Sequence, residues 1–163
     1  MIAFVSDVFA VDNPLALGGV ATEPLRLDHI GVAVRSIVAT RVFYESLGLV
    51  VGAEETVEHE QVKTAMLLLG GNRLELIEPM RADSTTGRFL AKRGEGLHHI
   101  AIHVENIDAK FEALKAIGTR LVNDSILAGA GGHRYFFVHP ASTGGVLIEI
   151  VGDAKPNGSL DPG

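Results

Sequence analysis

LDHIGVAVRSIVATRVFYESLG (residues 27–48) and LHHIAIHVENIDAKFEALKAIG (residues 97–118) are two versions of one pattern, offset by 70 without a gap. Leu27 falls on Leu97, His29 on His99, Ile30 on Ile100, Val34 on Val104, Ile37 on Ile107, Ala39 on Ala109 and Gly48 on Gly118. A second pair of blocks follows: GGNRLE (70–75) matches GGVLIE (144–149) at an offset of 74, which sets Glu75 opposite Glu149. Two amphipathic segments can match by chance. Here both blocks keep their order and nearly their spacing, which is the mark of an internal duplication.

Each copy carries the same plan. Residues 27–34 alternate and hold β-branched side chains, so they read as a strand. Ser36 is placed to cap a helix whose apolar positions Ala39, Phe43 and Leu47 recur every four residues, and Gly48 stops it. Further strands are expected at 49–55, 62–69 and 73–78. In the second copy a strand spans 98–104, and Asn106 caps a helix through Ile107, Phe111 and Leu114 that ends at Gly118. Strands near 120–122, 134–138 and 145–151 complete it. Residues 83–93 (DSTTGRFLAKR) predict a short connecting helix. The expected fold class is α+β: two tandem βαβββ modules, at about 25–80 and 95–151, whose curved mixed sheets close around a cleft. An N-terminal extension (1–24) and a flexible tail (152–163) flank them.

The chain has 163 residues, 47% hydrophobic and 21% charged, as expected of a globular domain with a core. It has no cysteine, which excludes disulfides, thiolate metal sites and a cysteine nucleophile. The formal charge of −6 argues against a surface that tracks nucleic-acid phosphates. No apolar run approaches the ~20 residues of a membrane span. The first 24 residues hold no Lys or Arg, so they fit neither a secretory nor a mitochondrial leader, and a cytoplasmic location is expected.

The polar residues on the strands carry the chemistry. His29 shares a strand face with Gly31 and Ala33, and His99 with Ala101, so small neighbours leave room beside each imidazole. Glu75 lies within LELI and Glu149 within LIEIV. A carboxylate buried alone in such a strand costs several kcal/mol, so each calls for a cation. Two His and two Glu in symmetric places offer a neutralising ligand set for a divalent ion such as Co, Zn, Ni, Mn or Fe(II). An octahedral ion there would keep two open positions. Taken singly, each His also fits a core histidine and each Glu an edge-strand residue facing water. His98 points to the other face, as a structural residue or one behind the ligands; His103 is a candidate for the cleft wall. His59 and His139 read as turn residues, and Glu78 as a strand end.

DHIGVAV, LELIEP, GEGLHHIAIHV, GAGG (129–132), FVHP (137–140) and GGVLIEIV together resemble the vicinal oxygen chelate (glyoxalase/bleomycin resistance/dioxygenase) superfamily, over about residues 25–151. Within it they are most similar to the methylmalonyl-CoA epimerases. The resemblance implies a U-shaped metal cleft, an acyl-CoA thioester substrate, a homodimer, and metal ligation by His29, Glu75, His99 and Glu149. It also implies removal and return of the proton between thioester and carboxylate through an enolate, with Glu149 and Glu75 as the acid/base candidates. A ligated carboxylate is a weak base, which leaves that assignment strained. Some epimerases carry a glutamate where this chain has Thr64, whose hydroxyl is a poor proton acceptor. Thr64 is thus a substrate-side residue, and the second base is unassigned. Lysine often follows the HP dipeptide, where this chain has Ala141.

His133 and Arg134 are candidate contacts to the acyl or CoA portion, or else a solvent-facing basic pair. The GAGG stretch lacks the order of a phosphate loop and reads as a flexible turn beside the cleft. The alternatives are a glyoxalase I-like isomerase acting on a glutathione hemithioacetal and a non-catalytic small-molecule binding protein. A ring-cleaving dioxygenase needs only two His and one Glu, so Glu75 argues against it.

Overall fold

A computed structural model describes residues 25–129 and 132–154. The N-terminal extension, residues 155–163 of the tail and the middle of the GAGG turn lie outside the described residues. Each module opens with a strand whose alternation puts small and imidazole side chains on one face and branched ones on the other. These are β1 (Arg26–Ala33) and β5 (Gly96–His103). Helix α1 (Ile37–Ser46) follows β1, its start fixed by the Ser36 hydroxyl accepting from the Ala39 amide. Helix α3 (Ile107–Ala116) follows β5, with Asn106 accepting from Ala109 in the same way. Gly48 and Gly118 end the two helices with φ of 86° and 76°, a conformation that costs glycine little.

The first module continues through β2 (Val51–Val57), β3 (Val62–Leu69) and β4 (Asn72–Pro79). Helix α2 (Thr85–Arg93), capped by Ser84, links it to the second. The second continues through β6 (Leu127–Ala128), β7 (Arg134–Val138) and β8 (Ile148–Gly152). The strand expected near 120–122 is reduced to one bridge, Leu121 to Val138, and the pairing strand comes later, at β6. Between them lies Asn123-Asp124-Ser125, whose side chains favour turns. Asn123 spends its side chain on the Phe137 amide at 2.8 Å. β8 starts at Ile148 and not at 145 because Gly144 and Gly145 form a turn with φ of 71° and 97°.

Among the described residues the two modules share one eight-stranded sheet, ordered β2-β3-β4-β1-β5-β8-β7-β6. β1 pairs parallel with β4, and β5 parallel with β8; β1 and β5 join antiparallel at the centre. Ile30 sits directly opposite Ile100, its own equivalent in the duplication, so the two-fold relation passes through that pair. The helices cover one face. Ile37 of α1 packs with Val34, Ala65, Leu67 and Leu76, and Ile107 and Phe111 of α3 pack with Phe136, Val138 and Ile150. The other face is concave. Residues of the β2–β3 turn reach Tyr135 on β7, although β3 and β7 stand second and seventh in the sheet. No helix among the described residues is long and apolar enough to cross a membrane.

Candidate functional site

The concave face encloses a cavity of about 500 Å³ whose floor is the centre of the sheet. Register decides what meets there. Gly31 lies between Glu75 on β4 and His99 on β5, and Ala101 lies between Glu149 on β8 and His29 on β1. Each imidazole therefore lies over a small residue of the neighbouring strand. A Cβ built on Gly31 would stand 2.4 Å from His99 Cε1, so only glycine leaves room for that ring.

The four symmetric residues converge. His29 Nε2 and His99 Nε2 are 2.9 Å apart. Glu149 Oε2 is 3.3 Å from the first and 3.0 Å from the second, and Glu75 Oε2 is 3.4 and 3.7 Å from them. His29, His99 and Glu149 are 4, 3 and 6% exposed, and their ligand atoms lie close enough together, within 4.8 Å, to hold a metal ion. Glu75 stands beside them as a fourth donor, somewhat more open at 15% side-chain exposure.

Two residues behind the imidazoles orient them. The β1–β5 register skips Asp28 on one strand and His98 on the other, making each the extra residue of a bulge. A bulge re-aims a side chain that strict alternation would send to the far face. Asp28 and His98 are equivalents in the duplication, and each turns back to its neighbour. Asp28 Oδ1 takes His29 Nδ1 at 2.7 Å, while Arg73 holds its other oxygen. His98 Nδ1 lies 3.0 Å from His99 Nδ1 and rests edge-on against Phe89 of α2. With Nδ1 so engaged, each of the two imidazoles presents Nε2 to the centre.

The electrostatics call for a cation. Burial pushes the His29 imidazolium down, but Asp28, Glu149 and Glu75 outweigh it and lift the group to about 11. Burial pushes the Glu149 carboxyl up, yet His29 and His99 hold it at about 2. Burial likewise opposes the bonds from His29 and Arg73 that keep Asp28 at about 2. His98 is the exception: burial and the neighbouring His99 depress it to about 4, leaving a neutral ring that accepts. Two Nε2 lone pairs facing two carboxylates in a buried space suit a divalent ion, which would displace the proton His29 otherwise keeps.

The other expected residues divide. Thr64 lines the cavity from β3, beside Met66 and Val62, and His133 lines it next to Gly129. Arg134, expected beside the substrate, is not on the cavity wall; it projects to the helix-bearing side and forks onto Asp108 of α3 at 2.5 and 2.6 Å. Alternation on β7 requires this, because Tyr135 and Phe137 take the concave side. His103 does line the cavity, between Arg26 and Asp153. His139 caps the turn at Pro140–Ser142, and Glu78 accepts from the first amide of α1.

His59 is a turn residue, as expected, but its Nε2 lies 2.7 Å from the Tyr135 hydroxyl. That hydroxyl also donates to Glu60, a half-buried carboxylate on the cavity wall. Neither Glu60 nor Tyr135 is evident from sequence, because partners some 75 residues apart leave no local pattern.

Residues 28–137 match the family model for the glyoxalase/bleomycin resistance protein/dioxygenase superfamily. An uncharacterized Bacillus subtilis protein, YqjC, is 44% identical over 77% of this chain and 90% of its own. The mitochondrial methylmalonyl-CoA epimerase of Bos taurus is 35% identical over 77% of this chain and 73% of its own. Among solved structures, a variant of the Streptomyces coelicolor methylmalonyl-CoA epimerase in complex with 2-nitronate-propionyl-CoA superposes with a TM-score of 0.75. It is 40% identical, and the match covers 79% of this chain and 97% of that one.

Proposed function

The chain belongs to the glyoxalase/bleomycin resistance protein/dioxygenase superfamily and is an isomerase of the epimerase kind, and on that premise we propose that it interconverts the 2-epimers of methylmalonyl-CoA through an enolate in a metal-dependent reaction. The observation that carries this reading is the convergence of His29, Glu75, His99 and Glu149 on the floor of one cavity, on a fold whose relatives act on acyl-CoA thioesters. Those four residues would hold a divalent ion, whose charge would stabilise the oxyanion that develops as the α-proton leaves.

The chain's own residues do the rest. Asp28 and His98 fix the two imidazoles so that the donor set is preorganised. Phe137, edge-on to His99 at 5.6 Å, and Val151 keep the floor apolar, which strengthens every charge interaction there. Thr64 and His133 face the substrate from opposite walls. Glu149 serves one face of the planar intermediate as an acid/base group, while Glu75, the other candidate from the sequence, is held beside the same imidazole pair. The reading includes a homodimer, whose mass sedimentation would report.

The test is hydrogen exchange. Protein loaded with Co(II) is expected to exchange the α-hydrogen of methylmalonyl-CoA for deuterium in D2O and to interconvert the epimers. The same sample given methylglyoxal and glutathione is expected to do nothing. Turnover of the hemithioacetal without thioester exchange would replace this reading with that of a glyoxalase I-like isomerase.

A further inference from the structure

We propose that Glu60 is the acid/base residue on the substrate face turned away from Glu149, with Tyr135 as its positioning residue. This rests on the epimerase reading above.

Inversion at a carbon by proton transfer needs a group on each face, because a lone base returns the proton to the side it came from. A carboxylate committed to a cation is a weak base, so at least one of the two groups should stand off the ion. The carboxylates around the cavity sort on that criterion. Glu75 and Glu149 face the imidazole pair, and Asp28 is held by His29 and Arg73. Asp153 is largely exposed and paired with His103, and Glu55 is exposed on β2. Glu60 is half-buried on the wall, and among the described residues its hydrogen bond goes to Tyr135 and not to any of the four convergent residues.

Its surroundings suit a base. Oε1 accepts the Tyr135 hydroxyl, which in turn receives a bond from His59 Nε2 at 2.7 Å. Among the described residues Oε2 accepts no hydrogen bond, so a lone pair remains for a substrate proton. Burial raises the Glu60 carboxyl above the ordinary range; the Tyr135 bond opposes this, and the nearby Glu149 and Glu75 charges add to it. A raised carboxyl is the stronger base. Tyr135 stays a protonated donor, since its own ionisation is pushed up by burial and by Glu60. Thr64, four residues further along on the same wall, offers only a hydroxyl, so Glu60 supplies the carboxylate that β3 does not.

In the step, the α C–H bond breaks and an O–H bond forms at Glu60 Oε2, while the C–H electron pair passes into the thioester as an enolate. Glu149, having taken up a proton from solvent, then delivers it to the opposite face of the same carbon, and the new C–H bond completes the inversion. The reverse direction exchanges the two roles, and solvent protons reset both carboxyls.

The experiment uses the Co(II)-loaded full chain and each pure epimer of methylmalonyl-CoA in D2O. Glu60→Gln keeps the Tyr135 contact and is expected to lose epimerisation by about 10²–10⁴-fold. It should still wash deuterium into one epimer with its configuration retained, which also reports an intact fold and site. Glu60→Asp should recover part of the epimerisation, and Tyr135→Phe should lower kcat with KM unchanged. Near-native epimerisation by Glu60→Gln, or equal loss of exchange from both epimers, overturns the proposal while leaving the epimerase reading in place. A wild-type protein without exchange overturns both.

Discussion

Gly31 has no side chain, and the His99 ring occupies the space one would fill. An added Cβ would lie 2.4 Å from Cε1 and 2.7 Å from both ring nitrogens, closer than any packed carbon tolerates. The backbone there is held by β4 on one side and β5 on the other, so the ring must move. Gly31→Ala is therefore expected to fold and to lose most of its bound Co(II), read as metal per chain after desalting. A variant that keeps full metal content would show that His99 is not fixed by this contact. The small residues beside both imidazoles are legible in the sequence, because strict alternation places them on one face. Asp28 is not legible as a partner of His29, since alternation sends it to the opposite face and only the bulge turns it back.

The elements follow from short-range rules where short-range forces decide them. Ser36, Ser84 and Asn106 each satisfy an amide at the start of a helix, and those three helices lie where their caps predict. The second strand of the later module does not, because the Asn123-Asp124-Ser125 turn competes with pairing and leaves one bridge at Leu121. The single sheet is also beyond local reading, since nothing in β1 or β5 alone says that the two pair edge to edge. What holds α3 down is long-range packing: Phe136 of β7 is fully buried and meets Phe111 edge-on at 5.0 Å. Phe136→Ala removes that ring with little prospect of collapse around it. The expected cost is about 3–5 kcal/mol in a urea unfolding curve of the metal-loaded protein. A loss under ~1 kcal/mol would mean that the helix is held by something other than this cluster.

The duplication makes the site a joint between halves. His29 and Glu75 belong to one module, His99 and Glu149 to the other, and β1 pairs with β5 at the line where they meet. Without an ion, two carboxylates and two imidazoles face one another in a buried space, and the proton that His29 keeps answers their demand for positive charge. A divalent ion meets that demand from both modules at once, and the unfolded chain offers no such arrangement. The native state should therefore be stabilised by mass action: about 2.7 kcal/mol for free Co(II) at a hundred times its Kd. For a chain of this size that corresponds to a rise in Tm of roughly 5–10 °C. Chelation should reverse the rise, and His29→Ala should abolish it, starting from a metal-free Tm that is itself lowered because Asp28, Glu75 and Glu149 lose the imidazolium that balances them. A Tm indifferent to Co(II) in the wild-type protein would mean that the four side chains do not share an ion, and the proposed chemistry would then lose the charge it depends on.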